Sequence, residues 1–298
     1  MTVIESIPEI ETPSPCLPFK PDWQHAEDLQ IYVKRDDLIH PVVSGNKWRK
    51  LKYTLRQLPA STTRIVSFGG GYSNHLHALG FICHQLAMPF TAIVRGDYSA
   101  SLTPMLHDLM AWNSELVYVD KVEYRQRDTL AYINQLQARY PGAVIIPEGG
   151  KQPSALRGVG EIMHELAVIP DYVLVPVGSG ATLAGLVGQL YGHQRAIGIA
   201  VLKGENYLES EVNQLLDRTQ TNWHIQHDFH HGGYAKCSRE LAEFCRTFTR
   251  EHGFAVEPVY SGKLFYAAKM LIERQYFEKG AKVLLLHTGG LQGARESR

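Results

Sequence analysis

An apolar run passes directly into a glycine-rich turn in the segment Val175-Pro176-Val177-Gly178-Ser179-Gly180-Ala181-Thr182-Leu183-Ala184-Gly185. The Val-rich run predicts a buried strand that ends at Gly178, and the small residues after Gly180 predict a helix. Because the glycines lack side chains, an anion can approach the backbone N–H groups, and Ser179 and Thr182 add hydroxyl donors. The turn suits a single phosphate, although a simple tight turn between strand and helix would explain it equally well.

The same alternation of strand and helix extends along the chain. Short runs rich in Val and Ile, bounded by Gly or Pro, predict strands buried on both faces of a parallel sheet. Helix-length segments lie between these runs, so the predicted fold class is α/β with a layered architecture. The predicted strands are Ile31–Lys34, Arg64–Ser67, Phe90–Val94, Glu115–Val119, Ala143–Ile146, Tyr172–Val177, Ala196–Val201 and Lys282–His287. The predicted helices are Trp48–Gln57, Asn74–Ala87, Leu102–Trp112, Tyr124–Arg139, Pro153–Leu166, Ala181–Tyr191, Cys237–His252 and Gly262–Gln275.

Two core units are expected, because a chain of 298 residues is long enough to form about two. Residues 50–147 contain four strand–helix alternations and predict a small domain with its own sheet. Residues 1–49 and 148–298 together predict a larger domain. The Pro-rich segment Pro13–Pro21 is interpreted as an irregular lead-in to the fold.

Charge and composition exclude several classes of protein. The 30 Lys and Arg residues balance the 30 Asp and Glu residues, which disfavours nucleic acid as a partner. The four cysteines form no CxxC pair, which argues against a zinc ribbon or a disulfide framework and fits a reducing compartment. The first residues do not resemble a signal peptide, and no run approaches the ~18 apolar residues of a membrane span. We expect a soluble, cytoplasmic protein that binds neither membrane nor nucleic acid.

A second glycine-rich turn has the sequence Ser67-Phe68-Gly69-Gly70-Gly71-Tyr72-Ser73-Asn74-His75. Helix capping alone would explain Ser73 or Asn74. Three consecutive glycines are more than a turn requires, and they leave a row of backbone donors suited to a carboxylate. A carboxylate site is therefore favoured over a purely structural turn.

A third segment, Val43-Ser44-Gly45-Asn46-Lys47-Trp48-Arg49-Lys50-Leu51, places a lysine at a predicted helix start. The helix macrodipole disfavours a cation there. A partly desolvated amine at Lys47 would have a lowered pKa and could act as a Schiff-base nucleophile. Taken alone, the segment fits better with a solvated basic face, since Arg49, Lys50 and Lys52 lie beside Lys47.

Together these motifs resemble the fold-type-II pyridoxal-phosphate enzymes. More narrowly, they resemble the family of 1-aminocyclopropane-1-carboxylate deaminase and D-cysteine desulfhydrase. The resemblance implies a three-layer α/β/α fold of the tryptophan-synthase-β type, with pyridoxal 5'-phosphate as cofactor and a small amino acid as substrate. Family members are commonly dimers, so a homodimer is compatible with it. The matching segments are Ser44–Leu51, Ser73–His75, Gly178–Thr182, Gly233–Tyr234, Pro258–Lys263 and His287–Gly290.

The resemblance also implies which residues hold the cofactor. Lys47 would bind it covalently through a Schiff base and later move the Cα proton. Asn74 would contact its phenolic oxygen. The turn Gly178-Ser179-Gly180-Ala181-Thr182 would cradle its phosphate, and Ser261 and Thr288 would complete the cofactor site.

Substrate contacts follow from the same resemblance. Ser73 and the nearby backbone, with Asn74 and His75, would bind the substrate carboxylate. Tyr260 and Tyr234 would flank the reacting carbon. Lys47, Tyr260, Tyr234 and Ser73 are thus the predicted catalytic residues.

The residue after Tyr260 bears most directly on the chemistry. In the deaminases of this family it is a glutamate, which keeps the pyridine nitrogen protonated and the ring a strong electron sink. Here it is Ser261, a neutral partner. Ser261 and Thr288 therefore favour β-elimination from D-cysteine or a related thiol- or hydroxyl-bearing amino acid. The products would be a 2-oxo acid, ammonia and the leaving group, and cyclopropane-ring opening is the disfavoured alternative.

Other classes of protein are weaker alternatives. A non-catalytic protein that binds pyridoxal phosphate would carry the same motifs. A metal-binding protein could use the histidines, but those at 75 and 77 would point to different helix faces, so no metal is predicted. A nicotinamide-dependent dehydrogenase is disfavoured, because the turn at Gly178 lacks the third glycine of the usual dinucleotide-binding fingerprint.

Overall fold

The computed structural model describes residues 10–43, 45–292 and 295. Ser44, the first residue of one matching segment, lies outside the described residues. The strands, in chain order, are β1 Cys16–Pro18, β2 Gln30–Arg35, β3 Arg64–Gly70, β4 Phe90–Arg95, β5 Glu115–Val119, β6 Ala143–Ile146, β7 Tyr172–Val177, β8 Arg195–Ala200, β9 Trp223–Gln226 and β10 Lys282–His287. The helices are α1 Asn46–Arg56, α2 Asn74–Gln85, α3 Pro104–Ala111, α4 Lys121–Tyr124, α5 Leu130–Arg139, α6 Pro153–His164, α7 Ala181–Val187, α8 Tyr207–Asn213, α9 Arg239–His252 and α10 Ser261–Glu273.

Within the described residues, the strands form two sheets. The larger has six strands in the order β1-β2-β10-β7-β8-β9, and the smaller has four in the order β5-β4-β3-β6. All pairs are parallel except β1 with β2. The predicted α/β fold with mostly parallel sheets is confirmed.

Helices cover both faces of the larger sheet. Along β10, Val283 and Leu285 pack into one apolar cluster with residues of α9 and α10, including Phe265. Leu284 and Leu286 point to the opposite face and join a second cluster with residues of α6, α7 and α8. Successive side chains of a strand alternate between faces, so a strand buried on both sides has an unbroken apolar sequence. The larger sheet therefore lies at the centre of three layers.

The smaller sheet is built in the same way. Ile65 and Ala92 pack against α1, α2 and α3, whereas Val66 and Ile93 pack against α5 on the other face. Its strands lie between residues 64 and 146, within the predicted small domain of residues 50–147. The predicted boundary at residue 50 falls inside α1. The division into domains stays a prediction.

The structure differs from the predicted elements in several places. The Pro-rich lead-in is not wholly irregular, because β1 pairs with β2 at the sheet edge. The helix predicted over Tyr124–Arg139 is two helices, since Asp120 caps α4 and Thr129 caps α5. The helix predicted over Ala181–Tyr191 ends earlier, at Val187. Strand β9 and helix α8 were not predicted.

No helix among the described residues is long and apolar enough to cross a membrane. In the same part of the chain, no group of three or more His, Cys, Asp or Glu side chains is arranged to hold a metal ion.

Candidate active site

A close backbone contact places Lys47 at the end of strand β10. Gly45, which precedes α1, has φ +68°, and a Cβ atom there would lie 1.4 Å from the carbonyl oxygen of Thr288. The Asn46 N–H donates to that carbonyl at 3.0 Å. Only glycine allows this approach. The first turn of α1 is therefore held against the carboxyl end of the larger sheet.

Hydrogen bonds link the Lys47 amine to the turn Gly178–Thr182, the predicted phosphate site. Lys47 Nζ donates to Asn46 Oδ1 at 3.0 Å, and Asn46 Nδ2 donates to Thr182 Oγ1 at 2.9 Å. Burial of the amine lowers the pKa of Lys47 to about 8. A larger share of neutral, nucleophilic amine is present at neutral pH than for an ordinary lysine. The structure thus brings together the predicted Schiff-base lysine and the turn Gly178–Thr182.

Beside Lys47, the expectation of a solvated basic face is wrong. Arg49 is 1% exposed, and its Nε and Nη1 atoms donate to Asp36 at 2.6 Å and to Glu165 at 2.9 Å. Lys52 pairs with Glu161 on α6 at 2.6 Å. The basic cluster therefore joins α1 to its surroundings and fixes the helix that carries Lys47.

Lys50 is a functional candidate that the sequence analysis did not assign. It is 3% exposed, and no acidic side chain of the described residues forms an ion pair with it. Burial and the neighbouring Lys47 lower its pKa well below the ordinary value. A buried amine without a counter-charge is costly unless an anion binds it. No local pattern in the sequence separates Lys50 from its basic neighbours Arg49 and Lys52.

An unpartnered acceptor lies next to Lys50. The Ser67 hydroxyl donates to the Ile146 carbonyl at 2.7 Å, so it accepts from His75 Nε2 at 2.8 Å. This assignment leaves His75 Nδ1 buried without a hydrogen-bond partner. A Cβ atom on Gly150 would lie 3.6 Å from His75 and 3.4 Å from the Lys50 stem. These are ordinary van der Waals distances, so the φ of +70° at Gly150, rather than a lack of space, is what favours glycine there.

The His75 imidazole itself is only 2% exposed. Burial, with Lys47 and Lys50 nearby, lowers the pKa of His75 to about 3, so the ring is neutral at physiological pH. A contact from His75 to a substrate carboxylate would have to come from its backbone, because the imidazole is bonded to Ser67.

The triple-glycine turn is shaped largely by packing. Ser73 caps α2 by accepting from the Leu76 N–H at 3.2 Å. A Cβ atom on Gly69 would lie 2.5 Å from Ser73 Oγ, and one on Gly71 would lie 2.5 Å from the Tyr98 ring. Capping and packing therefore account for Ser73 and for these two glycines. In the cap the Ser73 hydroxyl acts as an acceptor, so its hydrogen stays available to donate a hydrogen bond.

Asn74 and Lys47 line a common cavity of about 410 Å³. Asn74 packs closely on Gly290, where a Cβ atom would lie 2.6 Å from Asn74 Cγ. Its Oδ1 atom accepts from the Gln292 N–H at 3.2 Å. The segment after β10 therefore fixes Asn74 from one side, and the cavity leaves its other side accessible together with the lysine.

The side chains of Tyr260 and Tyr234 contact each other beside Gly178, the first residue of the turn Gly178–Thr182. The hydroxyl of Tyr260 donates to that of Tyr234 at 3.4 Å, and the two ring centres lie 6.1 Å apart. A Cβ atom on Gly178 would lie 3.4 Å from the Tyr260 ring. Desolvation raises the pKa of both tyrosines, although 41% of Tyr234 as a whole is exposed, so both phenols stay protonated.

Glu257 is a second residue that the sequence analysis did not assign. This fully buried carboxylate accepts N–H bonds from Val259, Tyr260 and Ser261 at 2.7, 2.7 and 3.0 Å. Burial raises its pKa, against the amide hydrogen bonds that favour the charged form. An acidic residue just before a predicted helix start was the available signal.

Ser261 is also fully buried and is held by Glu257. Its Oγ atom accepts from the Glu257 N–H at 2.9 Å and lies 3.4 Å from Glu257 Oε1. Thr288 is 4% exposed, and its carbonyl receives the Asn46 N–H as described above. The position after Tyr260 thus holds a hydroxyl that accepts from the Glu257 N–H and donates to the Glu257 carboxylate, and it holds no carboxylate of its own.

A model of a known protein family matches residues 7–289, and its description is "Pyridoxal-phosphate dependent enzyme". The chain belongs to this family. Pyridoxal phosphate is its cofactor. The buried Lys50 amine, which has no acidic partner among the described residues, fits the negative charge of the cofactor's phosphate.

Curated relatives narrow the family. A protein of Pyrococcus horikoshii, provisionally named 1-aminocyclopropane-1-carboxylate deaminase, is 30% identical over 308 residues, covering 97% of this chain and 92% of the relative. D-cysteine desulfhydrase of Salmonella typhi is 25% identical over 306 residues, covering 94% of this chain and 91% of the relative.

A solved structure, the ACC deaminase homologue, superimposes with a TM-score of 0.81 at 26% identity. The match covers 96% of this chain and 92% of the other. The predicted resemblance to the deaminase and desulfhydrase family is confirmed.

Proposed function

We propose that this enzyme catalyses β-elimination from D-cysteine or a related small amino acid with a thiol or hydroxyl on Cβ. The observation that carries this proposal is the buried hydroxyl of Ser261 at the position after Tyr260. A hydroxyl holds a proton on the pyridine nitrogen less firmly than a carboxylate does, so prolonged storage of charge in the ring is disfavoured. Prompt expulsion of a good leaving group suits such a site. The similarity to the Salmonella typhi desulfhydrase supports the same reaction.

In this proposal the cofactor is held by groups from three segments. Lys47 Nζ forms the covalent linkage, and Asn74 lies beside it in the shared cavity. The backbone and hydroxyls of Gly178–Thr182 bind the phosphate, and the Lys50 ammonium neutralises part of its charge. Pyridoxal phosphate, when bound, supplies an electron sink for the electron pair left at the substrate Cα.

Lys47 then acts as the base. Its lowered pKa of about 8 would leave part of the amine neutral at neutral pH and able to accept a proton from the substrate Cα. The amine takes the Cα proton, and the Cβ–sulfur bond breaks with its electron pair leaving on sulfur. Released enamine hydrolyses with one water to a 2-oxo acid and ammonia.

The two tyrosines serve the leaving group. Their raised pKa values keep both phenols protonated. Because the Tyr260 hydroxyl donates to Tyr234 at 3.4 Å, the hydrogen of Tyr234 is left to form a hydrogen bond with the departing thiolate, and Tyr260 orients it. The Ser73 hydroxyl, which acts only as an acceptor in the helix cap, donates to the substrate carboxylate. These roles assign an acid, a base and an anchor to different segments.

The test begins with the cofactor linkage. Purified protein should show the visible absorbance of bound cofactor, and Lys47→Ala should lose it. Lys52→Ala is the matched control on the same helix, because its partner is Glu161 rather than the cofactor. A visible band retained in Lys47→Ala would exclude the assigned lysine.

The substrate is tested with a panel of D- and L-cysteine, D- and L-serine, β-chloroalanine and 1-aminocyclopropane-1-carboxylate. Release of 2-oxo acid and sulfide should be fastest with D-cysteine or chloroalanine. Faster turnover of the cyclopropane would overturn elimination in favour of the ring-opening alternative, which the Pyrococcus horikoshii relative supports. Cytoplasmic location and a homodimer stay predictions.

A further inference from the structure

Lys263 is a fully buried lysine to which the proposed reaction assigns no role. It lies on α10, one turn after Tyr260, and its exposed fraction is 0%. Its Nζ atom donates to the carbonyl of Val201 at 2.9 Å and to the carbonyl of Gly233 at 2.8 Å. The ammonium therefore joins α10, the end of β8 and the loop that precedes α9.

The Gly233 loop has a conformation that needs outside support. Gly232 and Gly233 have φ values of +97° and +114°, a region that favours glycine and leaves the chain few local restraints. The hydrogen bonds of Gly233 within the loop are its N–H to His230 at 3.0 Å and its carbonyl to the Lys236 N–H at 3.1 Å. The Lys263 ammonium adds the long-range contact, directly before Tyr234.

Stability alone does not explain a lysine here. Burial lowers the pKa of Lys263 to about 8, which measures a cost to the charged form that nearby Glu257 only partly offsets. The acceptors of its hydrogen bonds are neutral carbonyls, and replacing buried charges by apolar groups of similar volume is often neutral or stabilising. A buried cation retained without an ion pair indicates a role in geometry.

We propose that Lys263 is a positioning residue that holds the Tyr234 hydroxyl against the Tyr260 hydroxyl. The tyrosines come from separate segments, and Lys263 connects the helix that starts after Tyr260 with the residue that precedes Tyr234. Lys263 touches neither substrate nor cofactor in this role. Its effect on catalysis rests on the proposed function, whereas its effect on the loop does not.

The first test uses the protein without cofactor, so that it is independent of turnover. Lys263→Met keeps most of the length of the side chain and removes both hydrogen bonds. Amide hydrogen exchange in residues 232–236 should become at least about tenfold faster than in the unaltered protein. Lys269→Met is the matched control on the same helix, because Lys269 pairs with Glu273 at the surface at 2.7 Å and should leave the loop unchanged. Unchanged exchange in Lys263→Met would overturn the proposal.

The second test measures coupling between the two residues in the loaded enzyme. Lys263→Met should lower kcat by up to about 100-fold with little change in KM, as expected for a displaced catalytic group. Lys263→Met combined with Tyr234→Phe should be no slower than the slower single variant, because both changes remove one function. Multiplicative losses would show that Lys263 does not act through Tyr234.

The outcomes separate this proposal from the proposed function. Faster loop exchange in a protein that eliminates nothing would support the position of Lys263 and reject the reaction. Unchanged loop exchange in Lys263→Met of an enzyme that does eliminate would reject the role of Lys263 and support the reaction. If Lys263→Met does not fold, Lys263→Gln replaces it, since its amide is polar but too short to reach both carbonyls, and the same exchange criterion decides.

Discussion

The lowered pKa of Lys47 gives a quantitative prediction for cofactor binding. Only the neutral amine attacks the cofactor aldehyde, and burial lowers the pKa from 10.5 to about 8. At pH 7 the neutral fraction is then about 9%, against about 0.03% for an ordinary lysine, a difference of about 300-fold. The rate of linkage formation should therefore rise about tenfold per pH unit up to roughly pH 8 and level off above it.

The assay mixes cofactor-free protein rapidly with pyridoxal phosphate and follows the visible band of the linked cofactor from about pH 6 to about pH 10.5. The same series with N-acetyl-lysine corrects for ionisation of the aldehyde. The ratio of the two rates should fall steadily above pH 8, as the model amine continues to gain neutral form. A protein profile parallel to that of N-acetyl-lysine would refute the lowered pKa.

A variant separates the causes of this shift. Burial is the cause that lowers the pKa of Lys47, whereas the pKa of Lys50 is lowered both by burial and by the charge on Lys47. Lys50→Met should therefore leave the midpoint near pH 8, although it weakens the affinity for the phosphate. A midpoint restored toward 10.5 would assign the shift to repulsion between the two amines instead.

Three further changes test the framework of the site. Gly45→Ala should abolish cofactor binding, measured as bound cofactor per chain, because its Cβ would lie 1.4 Å from a carbonyl oxygen of the segment after β10. Gly192→Ala is the control: Gly192 also has a positive φ, but a Cβ there would have no atom within 4 Å, so cofactor binding should persist. Asp36→Asn should lower the free energy of unfolding by about 3–5 kcal/mol in urea titration, because it leaves the buried guanidinium of α1 without its closest counter-charge. Ser261→Glu should not create ring-opening activity, since the new carboxylate would be buried against Glu257; rapid turnover of the cyclopropane by this variant would contradict that expectation.

The elements that the sequence predicts are those with a strong apolar signal. Strands β7 and β10 are buried on both faces, so Val and Leu runs reveal them directly. Strand β1 has three residues, most of them exposed, and ends in proline, and β9 is another short edge strand with polar residues. Edge strands carry little apolar pattern because one side of the ladder faces no partner. Their pairing is decided by the rest of the sheet.

The site shows a different limit of sequence reasoning. The motifs indicated Lys47 and the Gly178–Thr182 turn, because each has a local pattern. Arg49 looked solvated because its counter-charges, Asp36 and Glu165, lie 13 and 116 residues away. Burial of a charge depends on partners that only the tertiary structure brings together.

The distribution of buried charge connects stability to function in this protein. The buried Lys, Arg, Asp and Glu residues within the described part of the chain are Lys34, Asp36, Arg49, Lys50, Glu257 and Lys263. All of them lie on α1, bind it directly or through Glu165, or surround the start of α10. Buried charges rarely add net stability, but they fix the direction of the groups they bind. Since α1 carries Lys47 in its first turn and α10 begins directly after Tyr260, the charges are concentrated where orientation matters most. Among the described residues, none of the other buried side chains is a Lys, Arg, Asp or Glu.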